Sequence, residues 1–228
     1  MTENLVEERL KAVSRPEPIA ALNRIREREC GEPLVDIRKK HPRIVIGRRS
    51  VPFLRERVAE KLFSAADALP DGYKLSVHTC LRSHAMQKAL FDRYWTELLE
   101  KHPDWSHATR RRLCCRFFAP YDQKAPPGHC TGAAVDVHLL LPSGRRADLS
   151  SPLKGWKAAR SLVHGLSPRA HANREILFAA MVGAGFSNCR EEFWHYSWGD
   201  AGWAVRVGEK ECVYGKIDVP KTWTGRRK

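Results

Sequence analysis

The sequence has no apolar run near the ~20 residues that a membrane-spanning helix needs. Its longest candidate, Leu177 to Phe186, is broken by two glycines, so no membrane crossing is expected. The N-terminal stretch MTENLVEERLKAVSRPEPIA lacks the basic end followed by an apolar segment that marks a secretory leader, and a cytoplasmic location is expected. The seven cysteines (Cys30, Cys80, Cys114, Cys115, Cys130, Cys189 and Cys212) are odd in number, form no C-x-x-C pair and follow no regular spacing. That excludes a disulfide framework and a zinc-finger pattern and suits reduced thiols. Internal repeats are absent, and 15 Gly with 14 Pro give no low-complexity bias. With 43% hydrophobic and 29% charged residues among 228, the chain reads as one packed domain over 1–228. Residues 1–50 read as an N-terminal extension or cover without assignable chemistry. Acidic residues are scarce relative to basic ones: 26 against 40, for a net charge of +14. Such an excess suits nucleic acid or an anionic substrate. It includes a basic end, Thr224 to Lys228, opposite an acidic first ten residues.

Apolar Leu54, Val58, Leu62, Ala66 and Leu69 recur at helical spacing between Ser50 and Pro70, with Ser50 placed to cap the helix and Pro52 in its first turn. Tyr73 to Thr79 reads as a strand, and Ser83 caps a following helix that carries Met86, Leu90, Tyr94 and Leu98. Arg82 then falls on a strand-to-helix turn. A helix over Trp105 to Phe118 bears Arg110, Arg111 and Arg112, a run that reads as a solvated face. Ala134 to Leu140 reads as a buried strand, Asn173 as the cap of a helix that ends in Gly183 and Gly185, and Phe193 to Trp198 as an aromatic strand. Helices and strands mix without βαβ repetition, which favours an α+β fold: an antiparallel sheet surrounded by helices.

The segment Gly128-His129-Cys130-Thr131-Gly132-Ala133-Ala134-Val135-Asp136 places an imidazole before a strand and a carboxylate seven residues on. The two converge on one ion if Gly132 bends the chain. Asp136 stands among apolar residues, where a carboxylate must be paired, protonated or metal-bound; a buried salt bridge is the plain alternative. In Glu191-Glu192-Phe193-Trp194-His195-Tyr196-Ser197-Trp198, Glu192 stands three residues before His195. Strict alternation would put these two on opposite strand faces, so either Glu192 precedes the regular strand or a bulge reorients it. The plain alternative is a surface Glu and a core His. Together His129, Asp136 and His195 offer three ligands with an open fourth position, the pattern of catalytic zinc. Water there has its pKa brought to about 7, and Glu192 is placed to take its proton.

These residues resemble the zinc D-alanyl-D-alanine dipeptidases of the vancomycin-resistance type and their D,D-carboxypeptidase relatives, over roughly Leu75 to Trp198. His129, Gly132 and Asp136 match the H-x6-D element; Glu192, Trp194 and His195 match the E-x-W-H element. The resemblance implies His129, Asp136 and His195 as zinc ligands, Glu192 as general base, and a short D-amino-acid peptide, D-Ala-D-Ala foremost, as substrate. The family's catalytic arginine corresponds to Arg82 in Thr79-Cys80-Leu81-Arg82-Ser83, with Gln87 following, although the usual preceding Gly-Tyr is missing. A guanidinium at that place stabilises an oxyanion. The acid that holds the substrate amine in such dipeptidases has no clear counterpart: Lys154 falls near its place, and Asp148 is the alternative.

His138 shares a strand face with Asp136 and reads as a partner of the ligands or an alternative ligand. Cys130 reads as a buried thiol. The other seven histidines show no mutual ligand spacing. Trp194, Tyr196 and Trp198 read as core in preference to base-stacking platforms, and no RNP-like, zinc-finger or helix-turn-helix signature accompanies them. Two rivals remain: a peptidoglycan D,D- or L,D-carboxypeptidase or endopeptidase, and a basic nucleic-acid-binding module with a structural metal.

Overall fold

The computed structural model describes residues 15–223; the acidic first ten residues and the basic end lie outside them. In chain order the elements are α1 (Ile19–Leu22), β1 (Arg26–Glu27), β2 (Leu34–Asp36), β3 (Ile44–Ile46), β4 (Phe53–Arg55), α2 (Glu56–Asp67), β5 (Lys74–Thr79) and α3 (His84–Lys101). They continue with α4 (His107–Phe117), β6 (Ala134–Leu140), α5 (Pro168–Gly183), β7 (Ser187–Asn188), β8 (His195–Ser197), α6 (Ala201–Val207) and β9 (Glu211–Cys212). A five-stranded sheet runs β3-β5-β6-β8-β7, flanked by two-stranded pairings of β1 with β9 and β2 with β4. Among the described residues no helix is long and apolar enough to cross a membrane.

The α+β class holds, but the sheet is mixed where an antiparallel one was expected. β3 pairs parallel to β5, while β5–β6, β6–β8 and β8–β7 are antiparallel. The cause is a crossover: β4 and α2 lie between β3 and β5, a connection long enough to return the chain in the same direction. This pairing draws on the first fifty residues. So do β1 and β2, which makes the stretch over residues 26–46 part of the fold's framework.

The helix expected to start under Ser50 begins at Glu56, with no side chain capping it. Residues Phe53–Arg55 are instead a strand against Leu34–Asp36, because an upstream partner strand overrides a local helical pattern. Val58, Leu62 and Ala66 are buried as their spacing predicts. Arg55 is buried too. Its side chain donates to the Thr131 carbonyl (2.9 Å), the Glu32 carbonyl (2.6 Å) and Glu29 Oε2 (2.8 Å).

Of the two other predicted caps, Ser83 holds and Asn173 is displaced, while the helix expected from Trp105 is capped by Ser106. Ser83 accepts from the Met86 N–H at the start of α3, and Ser106 accepts from Thr109 at the start of α4. Helix α5 starts five residues earlier than Asn173, with Ser167 capping and Pro168 in the first turn. Asn173 is interior and buried, and its amide donates to the Asp148 carbonyl at 2.9 Å.

One face of the sheet is core. Val135, Val137 and Leu139 of β6 and Leu75 and Val77 of β5 are inaccessible and pack with Val58 and Leu62 of α2 and Leu177 and Met181 of α5. Period-two alternation sends Asp136 and His138 to the other face, where both are only partly covered. The expected buried strand is thus buried on one side. Phe91, Leu98 and Cys114 join α3 to α4 in a separate apolar cluster.

Candidate metal centre

A short 3-10 turn, Gly128–Thr131, delivers His129 to the open face. Gly132 then reverses the chain at φ +72°, where a Cβ would come within 2.8 Å of Leu34 Cδ2, so only glycine suits the place. β6 carries Asp136, directly opposite His195 of β8. Asp136 Oδ1 lies 3.1 Å from His129 Nε2 and 3.1 Å from His195 Nδ1. The two imidazole rings meet edge to face at 4.9 Å. One ligand atom from each of the three residues lies within 4.8 Å of the others.

Hydrogen bonding in the cluster tests whether a cation fits. His129 Nδ1 faces the Cys80 carbonyl oxygen at 2.9 Å. A carbonyl only accepts, so Nδ1 carries the proton and Nε2 of the neutral ring presents a lone pair. That lone pair points at a carboxylate oxygen. Two acceptors in such contact need a proton or a cation between them, and two imidazole nitrogens with one carboxylate oxygen are a donor set that zinc accepts. Burial opposes ionisation of Asp136, yet the two imidazoles outweigh it and hold the carboxyl well below its ordinary value. Burial pushes His129 down, against the pull of Asp136. His195 is likewise disfavoured by burial, but its hydrogen bond to Asp136 prevails and raises it.

Glu192 precedes the regular strand, the first of the two arrangements its spacing allowed. Residues Cys189 to His195 form a turn closed by the Cys189 N–H donating to the His195 carbonyl at 2.9 Å. The buried Asn188 amide braces it, donating to the carbonyls of Phe193 (3.3 Å) and His195 (3.0 Å). Burial pushes the Glu192 carboxyl up to about 7; His195 pulls it down, while Asp136 pushes it further up. Arg82 occupies the expected strand-to-helix turn. Its backbone N–H donates to the His129 carbonyl (2.9 Å), and its Nη1 donates to Gln87 Oε1 (2.7 Å). Its charge acts on both His129 and Glu192.

Other candidates stand apart. His138 is outside the ligand cluster; it packs edge to face on His78 at 4.8 Å, and burial pushes it down to about 4. Cys130 is buried, its thiol pushed up to about 11 by burial. Asp148 Oδ1 is taken by the N–H and hydroxyl of Ser150, and Lys154 is exposed. Tyr196 lies in the main core. Trp198 is half-buried beneath Lys61 Nζ at 4.7 Å. Sequence reasoning missed the Cys80 carbonyl and Asn188. The first is a backbone group and leaves no residue signature; the second sits seven residues before His195 with no pattern to mark it.

An α+β scaffold that gathers two imidazoles and a carboxylate at one point, with a near-neutral carboxylate and a guanidinium beside them, defines a metallohydrolase type of centre. Comparison with known sequences narrows the class. The profile of peptidase family M15, described as D-Ala-D-Ala dipeptidase, matches residues 47–212, and the chain belongs to that family; it is a metallopeptidase. It is also 28% identical, over 225 residues, to a D-alanyl-D-alanine dipeptidase of Synechocystis sp. strain PCC 6803, covering 83% of this chain and 91% of that protein. Among solved structures it is similar to a Glu-to-Ala variant of the vancomycin-resistance D,D-pentapeptidase VanY from a VanB-type cassette, in complex with Zn(II). That likeness has a TM-score of 0.43 at 17% identity, over 89% of this chain and 95% of the other. VanYB in complex with D-alanine-D-alanine gives a TM-score of 0.45 at 17% identity, over 86% and 91%.

Proposed function

We propose that the chain is a zinc-dependent dipeptidase acting on D-Ala-D-Ala in the cytoplasm. His129, Asp136 and His195 hold the ion, Glu192 is the general base, and Arg82 is the oxyanion-stabilising cation. The observation that carries this reading is one carboxylate oxygen, Asp136 Oδ1, facing two imidazole nitrogens at 3.1 Å beside a buried Glu192. Family membership supports the substrate class, and seven unpaired cysteines support a reducing compartment.

When bound, zinc supplies a Lewis acid that polarises the scissile carbonyl and makes water acidic near neutral pH. Glu192 does the proton work. A carboxyl pushed to about 7 is matched to taking a proton from the attacking water and giving it to the leaving amine. Arg82, tethered through Gln87, keeps a fixed positive charge for the carbonyl oxygen as it becomes an oxyanion. Phe193 and Trp194, packed edge to face at 4.8 Å, shield the turn that carries Glu192 and strengthen these interactions.

The test is a peptide panel. Zinc-loaded protein should cleave D-Ala-D-Ala faster than L-dipeptides and longer D-Ala-D-Ala-terminated stem peptides. Glu192→Ala should keep its metal and lose at least about a hundredfold in kcat. Preference for the stem peptides would make the chain a carboxypeptidase, and near-normal turnover in Glu192→Ala would remove Glu192 as base.

A further inference from the structure

The open sheet face does not end at the ligand cluster. His138 lies two residues beyond Asp136 on the same strand, opposite Ser76 of β5. His78 sits where the β5–β6 register slips between Val77 and Thr79, and its ring packs against His138 at 4.8 Å. Arg146 bridges to Leu140, which follows Asp136 and His138 on the same face by alternation. Trp194 stacks over His138 at 6.5 Å and 15°, so the turn that carries Glu192 also walls this second group.

Donors outnumber acceptors here. Among the described residues, His138 and the Arg146 guanidinium have no hydrogen-bond partner, and His78 has only the Ser76 hydroxyl, at 3.3 Å. Arg146 is exposed. Arg146 and Asp136 both act on the two imidazoles, but Asp136 is already engaged by His129 and His195. Two imidazoles and a guanidinium thus share one patch without an acid of their own. The distance is apt: two strand residues advance about 6.6–6.8 Å, close to the roughly 3.4 Å of the one residue that follows the scissile bond of a dipeptide plus a hydrogen bond of about 2.9 Å.

We infer that His78, His138 and Arg146 form a carboxylate-binding subsite that holds an anionic group of the peptide while its scissile bond lies at the His129–Asp136–His195 cluster. This rests on the peptidase reading. The carboxylate is either the peptide's C-terminus or an acidic side chain. Two matched pairs separate these sources: D-Ala-D-Ala against its C-terminal amide, and D-Glu-D-Ala amide against D-Gln-D-Ala amide.

The variants are His138→Phe, which keeps the ring packing, and Arg146→Gln, which changes an exposed position and leaves folding intact if His138→Phe does not. The readout is the ratio of kcat/KM for the charged peptide to that for its neutral match, with calorimetric Kd ratios on the same zinc-loaded proteins. Each variant should lower that ratio about tenfold relative to the unmodified chain, the loss expected for a hydrogen bond to a charged group. A fall in the first pair assigns the terminal carboxylate, and a fall in the second assigns a side chain. Ratios unchanged in both pairs overturn the subsite. If the unmodified chain cleaves no peptide, the peptidase reading fails, and the Kd ratios alone decide the subsite.

Discussion

Replacing Gln87 with Leu should slow the chemical step far more than it weakens substrate binding. Gln87 is buried in the first turn of α3. It accepts from Arg82 Nη1 at 2.7 Å, and its amide donates to the Ala119 carbonyl at 2.7 Å. It therefore ties the guanidinium to the loop after α4. A hydrogen bond to a charged group contributes about 1.5–3 kcal/mol, and each ~1.4 kcal/mol of barrier is tenfold in rate. If that bond serves to aim Arg82 at the developing oxyanion, kcat for D-Ala-D-Ala should fall roughly ten- to a hundredfold while KM changes less than about threefold. Gln87→Glu retains an acceptor toward Arg82 and should recover most of the rate, although it loses the donor to Ala119. The assay is steady-state release of D-alanine, with Tm recorded in parallel. In an Arg82→Ala background the Leu substitution should cost little more, because both changes act through one group. Fully additive losses, or a lowered Tm with kcat intact, would refute the reasoning.

Three further outcomes are expected. Protein purified without added zinc should carry about one metal equivalent, and Asp136→Ala should lose most of it; full occupancy in that variant would place the ion elsewhere. Burial pushes the Glu32 carboxyl up, but hydrogen bonds from the Arg57 side chain and backbone and from Tyr214 bring it net below its ordinary 4.5. Its folded value is depressed, so its stabilisation is complete above 4.5 and disappears as pH falls through the folded value. Urea unfolding of the unmodified chain and Glu32→Gln should show a gap at neutral pH that closes in acid, and a constant gap would contradict this. Gly132→Ala should destabilise by about 1–2 kcal/mol from its left-handed backbone alone, seen as a Tm several degrees lower; an unchanged Tm would mean that the turn before β6 relaxes freely.

The parts legible in advance were those whose physics is local. Alternation set Asp136 and His138 on one face of β6, and Ser83 announced its helix by offering a cap. The cluster of His129, Asp136 and His195 was legible because an acid among apolar neighbours needs a partner. What stayed hidden depends on contacts distant in sequence. The short strands β2 and β3 carry too few residues to show a period, so their pairing, the displaced start of α2 and the parallel edge of the sheet could not be read. The amide of Asn173 looked like a cap until Ser167-Pro168 supplied a better one. His78 meets His138 because β5 pairs with β6 in a register that sets Ser76 opposite His138, and no spacing along the chain encodes which strands pair.

Arg55 has a consequence for the smallest piece of chain that can work. Its guanidinium reaches the carbonyls of Thr131 and Glu32 and the carboxylate of Glu29, and its backbone N–H reaches Gly132. The loop that presents His129 is therefore braced by a segment well upstream of every reactive side chain. A fragment trimmed to the region matched by the family profile, residues 47–212, would keep all five proposed site residues and the bonds from Arg55 to Thr131 and Gly132, but would lose Glu29 and Glu32, leaving the buttress of the centre without its own footing.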